Sequence, residues 1–253
     1  MTILSAILLL AACNGDSKND DSGGSGDGGA DALVCSEQVA IACEDQIISD
    51  LGLQDDEISE GDVTTEVDGG DFLTLIDASA GGYSASTTSP WVYVRFTAEG
   101  AEKVEIDDEA SLESLDWDLA LRRYLVRMNG GDSGPGCVGA VALREEAYAD
   151  IASIPEGLDL DALPMDDFYT DSCEFIADSS GLEGSPNLAL GQWWSYPGCV
   201  ATSDIPFIMR TNGGVIIKLV IEQYYGQGQE ECNSSATPGD DSGMIRVRWS
   251  VVE

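Results

Sequence analysis

Gly130-Gly131-Asp132-Ser133-Gly134-Pro135-Gly136 is the stretch with the most evident capacity for chemistry, a glycine-rich loop of the kind that presents a serine nucleophile. Such a serine needs an imidazole to accept its proton, and the chain contains no histidine. Lysine is no substitute base here: Lys18, Lys103 and Lys218 are the only lysines, and none follows a serine at the spacing Ser-x-x-Lys. The segment reads instead as a turn between Met128 and Val138. Paired carboxylates can hydrolyse glycosides, yet among 47 acidic residues no pair stands apart. The expectation is a protein without catalytic residues, not an enzyme.

Metal chemistry is similarly restricted. Without histidine, every zinc site that relies on imidazole is excluded, and no Cys-x-x-Cys pair is present. Asp159, Asp161, Asp166 and Asp167 supply oxygen ligands suited to calcium, but they lack the spacing and interior glycine of an EF-hand loop. Calcium is therefore a secondary expectation, with no metal ligand assigned.

Cys35, Cys43, Cys137, Cys173, Cys199 and Cys232 form an even set. In an exported protein this predicts three disulfides. Cys35 and Cys43 flank one short amphipathic segment and are the pair that proximity suggests; the other four leave three pairings open.

Export itself is read from the start of the chain. Residues 1–12 end in Leu10-Ala11-Ala12 before Cys13, an apolar run too short for the roughly 20 residues of a membrane span and suited to a signal peptide. The last four positions fit a lipobox, with Cys13 as the acylated first residue of the mature protein, although no Lys or Arg precedes the apolar run. Residues 13–32 are acidic and rich in Gly and Ser, with no aromatic or large aliphatic residue, which marks a flexible tether. Residues 33–253 then form one domain. The expected location is the outer membrane or cell surface, held by the lipid.

With 11 basic residues against 47 acidic ones, the net charge of −36 argues against nucleic acid or anionic lipid as a partner. Eight of the basic residues, Arg95, Arg122, Arg123, Arg127, Arg210, Lys218, Arg246 and Arg248, fall on expected strands or their ends. They are expected to pair with acids on a sheet face; the alternative is a patch that grips a ligand carboxylate.

The elements that must position these residues follow from periodicity. Val39, Ala40, Cys43, Ile47 and Leu51 recur at helical spacing and predict one short helix within 36–51. Residues 91–96, 117–128, 215–225 and 244–252 alternate and predict strands. Turns are expected at Asn129-Gly130-Gly131, Asn212-Gly213-Gly214 and Pro238-Gly239-Asp240, the Asn-Gly steps supplying positive φ for tight hairpins. Residues 145–206 read as loop, where binding function tends to lie. The fold class is mainly β: a single antiparallel, disulfide-stapled domain with one short N-terminal helix.

Four segments together resemble the HmuY family of haem-binding bacterial lipoproteins. They are Pro90 to Phe96; Trp117-Asp118-Leu119-Ala120-Leu121-Arg122-Arg123-Tyr124 leading into Asn129-Gly130-Gly131; Ile208 to Gly214 with Lys218-Leu219 and Tyr224-Tyr225; and Gly243 to Trp249. The resemblance implies a lipid-anchored β domain that captures haem and passes it to an outer-membrane uptake receptor. It departs from the best-known members, which hold the iron through two histidines.

Methionine is also a haem ligand. Of Met128, Met165, Met209 and Met244, the resemblance favours Met165 in the irregular middle, then Met128 and Met209 beside the Asn-Gly-Gly turns. Arg122, Arg127 and Arg210 are the candidate contacts for the propionates. Trp193, Trp194 and Tyr196 can stack on a porphyrin, but closing the core beside Cys199 is the preferred role for them. A structural or adhesive surface module that keeps the fold without haem is the competing expectation.

Overall fold

The computed structural model describes residues 34–182 and 184–253. The expected signal peptide, Cys13 and the tether lie outside the described residues.

Among the described residues there are twelve strands and two α-helices. In chain order they are α1 (Glu44–Leu51), β1 (Val63–Asp68), β2 (Asp71–Asp77), β3 (Val92–Thr97), β4 (Gly100–Val104), β5 (Leu119–Arg122), β6 (Leu125–Met128), β7 (Gly139–Ala142), β8 (Trp194–Ser195), β9 (Ala201–Thr202), β10 (Phe207–Arg210), β11 (Ile216–Gln227), α2 (Gln229–Ser235) and β12 (Asp240–Val251). A six-stranded sheet has the order β1-β2-β12-β11-β10-β7 and a four-stranded sheet the order β4-β3-β5-β6; β8 and β9 pair separately. All the paired strands are antiparallel, as expected.

Alternation decides the faces. Along β12, Ile245, Val247 and Trp249 are buried while Arg246 and Arg248 point outward. Those inward side chains share one core with Val92, Val94 and Phe96 of β3 and with Leu119 and Leu121 of β5. Phe96 meets Trp249 edge-on, with ring centroids 5.0 Å apart, where the two large sheets face each other. A second core holds Ile47 and Leu51 of α1 against Trp91, Tyr93, Trp117 and Ala120.

Several local expectations need correction. The helix is confined to Glu44–Leu51, because residues before it are drawn out along the domain: Cys35 N donates to Asn212 O at 2.9 Å and Val39 N to Pro135 O at 2.8 Å. The same extension separates Cys35 from Cys43. The bridges are Cys35–Cys137, Cys43–Cys173 and Cys199–Cys232, so three disulfides form but the expected Cys35–Cys43 pair does not.

Residues 117–128 are not one strand. They fold into the β5–β6 hairpin, turning at Arg123-Tyr124 with Arg123 at φ +55°. That uncommon conformation for a side-chain-bearing residue is held by the Arg123 guanidinium, which donates to Ser79 O and to Ser242 O and Oγ.

Neither Asn129 nor Asn212 adopts positive φ. Each instead turns its side-chain amide inward, where both donate to Trp117 O.

The basic residues divide in use. Arg95 pairs with Glu102 and Asp116, and Arg248 with Glu222, Asp68 and Asp71 on the outer face. Arg122, Arg123 and Lys218 are taken up largely by backbone carbonyls. The described residues of 145–206 form only short helical turns and the two-residue strands β8 and β9, as their composition suggested.

Candidate functional site

Strand β7 is an edge strand of the large sheet. Two segments of the irregular middle come up beside it and leave a cleft of about 750 Å³, lined by Ala140 to Ala142, Arg144, Pro164 to Asp167, Asn187 to Ala189 and Gln192, with Gly131 and Asp132 at its margin. Ligand pockets fall in this range of size.

The wall carrying Met165 is fixed by its neighbours in the chain. Ala140 N donates to Pro164 O at 2.9 Å, and Asp132 N to Asp166 O at 2.8 Å. Gly131 permits this approach: at φ +65°, a Cβ there would lie 2.1 Å from Asp166 O. The Asp166 carboxylate, fully buried, accepts from Met128 N (2.8 Å) and Ser133 Oγ (2.6 Å) on one oxygen and from Ala189 N (2.9 Å) on the other. It thereby joins β6, the Ser133 loop and the far wall of the cleft. Burial raises its pKa to about 6, a rise moderated by those three hydrogen bonds.

Ser133 is therefore a structural residue, buried with its hydroxyl committed to Asp166. Its neighbour Asp132 accepts from Phe168 N and Tyr169 N, at 2.6 and 2.8 Å. The glycine-rich loop binds chain to chain.

Of the three methionines favoured as ligands, only Met165 meets solvent, at 43% exposure. Met128 and Met209 are fully buried in the core between the sheets and point to no cleft. They are core filler, and the expectation that they stand ready as ligands is corrected.

The three propionate candidates do not converge. Arg122 donates to Gly52 O (3.1 Å), Ser89 O (3.2 Å) and Leu51 O at the end of α1. Arg127 lies in the second core among Trp91, Tyr93 and Trp117. Arg210 donates to Cys137 O at 2.9 Å and pairs with Asp161 at 3.3 Å. All three are buried and committed to the fold.

The guanidinium at the cleft is Arg144, which sequence reasoning passed over because it lies just beyond β7. It is exposed, donates to Gln192 Oε1 at 2.7 Å, and has no acid within ion-pair distance among the described residues. Its place in sequence, two residues after an Ala-Val-Ala strand and 21 before Met165, offered no periodic signal.

Trp193 and Trp194 are buried in the core with Cys199, as preferred, while Tyr196 is exposed. Asp161 is spent on Arg210 and Asp166 on three donors. No group of three or more carboxylates or cysteines is placed to hold a metal ion among the described residues, so calcium has no support. A second cleft, of about 640 Å³, is lined by Glu57, Ser59, Glu60, Asp77, Ser79 and Ser89, and offers neither a thioether nor a cation.

A family model described as HmuY protein matches residues 87–236, more than half of the chain. The chain belongs to the HmuY family. Solved structures to which the chain is similar include the following three. An HmuY-like protein of Bacteroides vulgatus ATCC 8482, named for haem binding, is 16% identical, with 71% of this chain and 91% of that one covered and a TM-score of 0.42. A protein of Bacteroides fragilis NCTC 9343 named as a lipoprotein is 17% identical, with 72% and 92% covered and a TM-score of 0.38. The apo form of an HmuY analogue from Tannerella forsythia is 14% identical, with 78% and 100% covered and a TM-score of 0.36. No curated protein matches the chain.

Some HmuY-family proteins bind haem. The donor set of this HmuY-family chain fits such a group in a limited way. All six described cysteines are in disulfides, and there is no imidazole, so the Met165 thioether is the one soft donor in the cleft lining that could hold an iron. Arg144 provides a cation for a carboxylate, and Ala140, Ala142, Leu188 and Ala189 provide apolar surface.

Proposed function

We propose that this HmuY-family protein is a lipid-anchored surface protein that captures haem or a related tetrapyrrole in the cleft beside β7, without enzymatic activity. One observation carries the reading: in the cleft that Asp166 holds together, the single exposed methionine of the favoured three lies along the same lining as an arginine with no acid partner among the described residues. When bound, haem would supply redox-active iron and a broad apolar face. Met165 would hold the iron through sulfur, Arg144 would receive a propionate by charge-assisted hydrogen bonds, and the alanine and leucine side chains would exclude water from one face.

The lipobox before Cys13 and the acidic tether support anchoring at the outer membrane or cell surface, with handover to an outer-membrane uptake receptor as the family role. The test is titration of the full chain carrying Cys13→Ser with ferric and ferrous haem. Saturable binding that weakens in Arg144→Ala supports the cleft; a spectrum identical to free haem at micromolar protein removes haem as the ligand.

A structural or adhesive surface module is the second reading. The lack of histidine and the consumption of Arg122, Arg127 and Arg210 by the fold favour it.

A further inference from the structure

Arg127 on β6 is fully buried, and no carboxylate lies within ion-pair distance of it among the described residues. Buried guanidinium groups are ordinarily paired, because an uncompensated charge in a low-dielectric interior is costly. Aromatic rings surround this one: its guanidinium carbon lies 5.0, 5.5 and 5.2 Å from the ring centres of Trp91, Tyr93 and Trp117. Their faces attract a cation, but they accept few of its hydrogen bonds. Nη1 reaches Ser133 O at 3.3 Å, and Nη2 reaches the Tyr93 hydroxyl and Ser111 Oγ. Among the described residues, Nε finds no acceptor.

Trp91 presents a second donor of the same kind. Its side chain is fully buried against the Arg127 guanidinium, and its Nε1 also lacks an acceptor. Two unanswered N–H donors therefore belong to one contact pair. The carboxylates of this region do not relieve them. Asp108 accepts from Gln54 N, Trp91 N and the Tyr93 hydroxyl, and Asp166 accepts from Met128 N, Ser133 Oγ and Ala189 N.

Arg122, on the same Trp91 ring at 4.6 Å, is different. It is answered by the carbonyls of Leu51 and Gly52 at the negative end of α1 and by Ser89 O.

We propose that Arg127 and Trp91 together bind a small monoatomic anion, a halide, in the core under α1, with the indole Nε1–H and the guanidinium Nε–H as its donors. The donor pair selects an anion over a cation. Three large rings packed about 5 Å from the guanidinium leave little room for a polyatomic ion such as sulfate. The site is structural, separate from the Met165 cleft, and does not depend on haem binding.

Two measurements test it. Crystals of the full Cys13→Ser chain grown in bromide should show an anomalous peak within hydrogen-bond distance of Trp91 Nε1 and Arg127 Nε. Independently, the melting temperature should climb as chloride replaces gluconate at constant ionic strength, since an ion that binds only the native state stabilises it by mass action. In Trp91→Phe, which keeps a ring and removes the donor, that dependence should vanish. Density for water without anomalous signal at this position, together with equal melting temperatures in the two salts for the unaltered chain, would overturn the proposal.

Discussion

Asn129 and Asn212 donate their side-chain amides to one and the same acceptor, the Trp117 carbonyl, at 2.9 and 2.8 Å. Each belongs to an Asn-Gly-Gly motif, one after β6 and one after β10, so the two repeats clamp the chain where it enters β5. Asn129 Oδ1 accepts from Gly136 N and Asn212 Oδ1 from Cys137 N, which locks the intervening glycine-rich loop to the same point. Because these groups are buried, loss of either amide leaves donors and acceptors unmet, at about 1–3 kcal/mol. Asn129→Ala and Asn212→Ala should each lower the urea midpoint by that amount, and the double variant should lose less than the sum. Strict additivity would show that the two amides do not share a carbonyl in solution.

The core methionines should separate from Met165 by stability. Met128→Ala and Met209→Ala empty space between the sheets and should cost about 2–5 kcal/mol in denaturant unfolding. Met165→Ala, at a half-exposed site, should cost well under 1 kcal/mol. A large loss for Met165→Ala would place it in the core instead of the cleft.

Disulfide mapping gives a direct check on the covalent frame. The unreduced exported chain should yield linked peptides for Cys35–Cys137, Cys43–Cys173 and Cys199–Cys232, and gain about six daltons on reduction. A Cys35–Cys43 peptide would contradict the extended course of residues 35–43.

Stability should respond to pH through two buried acids. Burial raises the pKa of both Asp118 and Asp166 to about 6, above the ordinary value of 3.8. The folded chain then binds protons more tightly than the unfolded one, so the contribution of these groups rises as pH falls from about 6 toward 4 and is lost as pH rises through 6. The combined effect is on the order of a few kcal/mol. Urea midpoints should therefore be higher at pH 5 than at pH 7.5; the reverse order would show that neither carboxylate is held in a dry environment.

Much of the β architecture was legible because strands with one buried face alternate, as in β3, β11 and β12. The β1–β2 hairpin was equally readable in Val63-Thr64-Thr65-Glu66-Val67 and Phe72-Leu73-Thr74-Leu75-Ile76 around a Gly-Gly turn, and was missed. Its inward residues matter, since Phe72 stacks on Trp249 at 4.4 Å. Arg123 and Tyr124 hid a hairpin inside an alternating run, because nothing in their types announces a turn that tertiary hydrogen bonds enforce.

The site was less legible. Met165 stood out by its place in a long loop, whereas Arg144 joins it only through the meeting of β7 with residues 164–167, a long-range contact that no local pattern encodes. Arg122, Arg127 and Arg210 misled because strand position says nothing of whether a guanidinium faces solvent or core.

The absorption spectrum of the full Cys13→Ser chain with one equivalent of haem, beside that of Met165→Ala, tests the central claim most directly. Haem capture at the β7 cleft predicts a sharpened, saturable band for the parent chain that weakens or shifts in the variant. Identical spectra for the two chains, or a band no different from free haem, would contradict it.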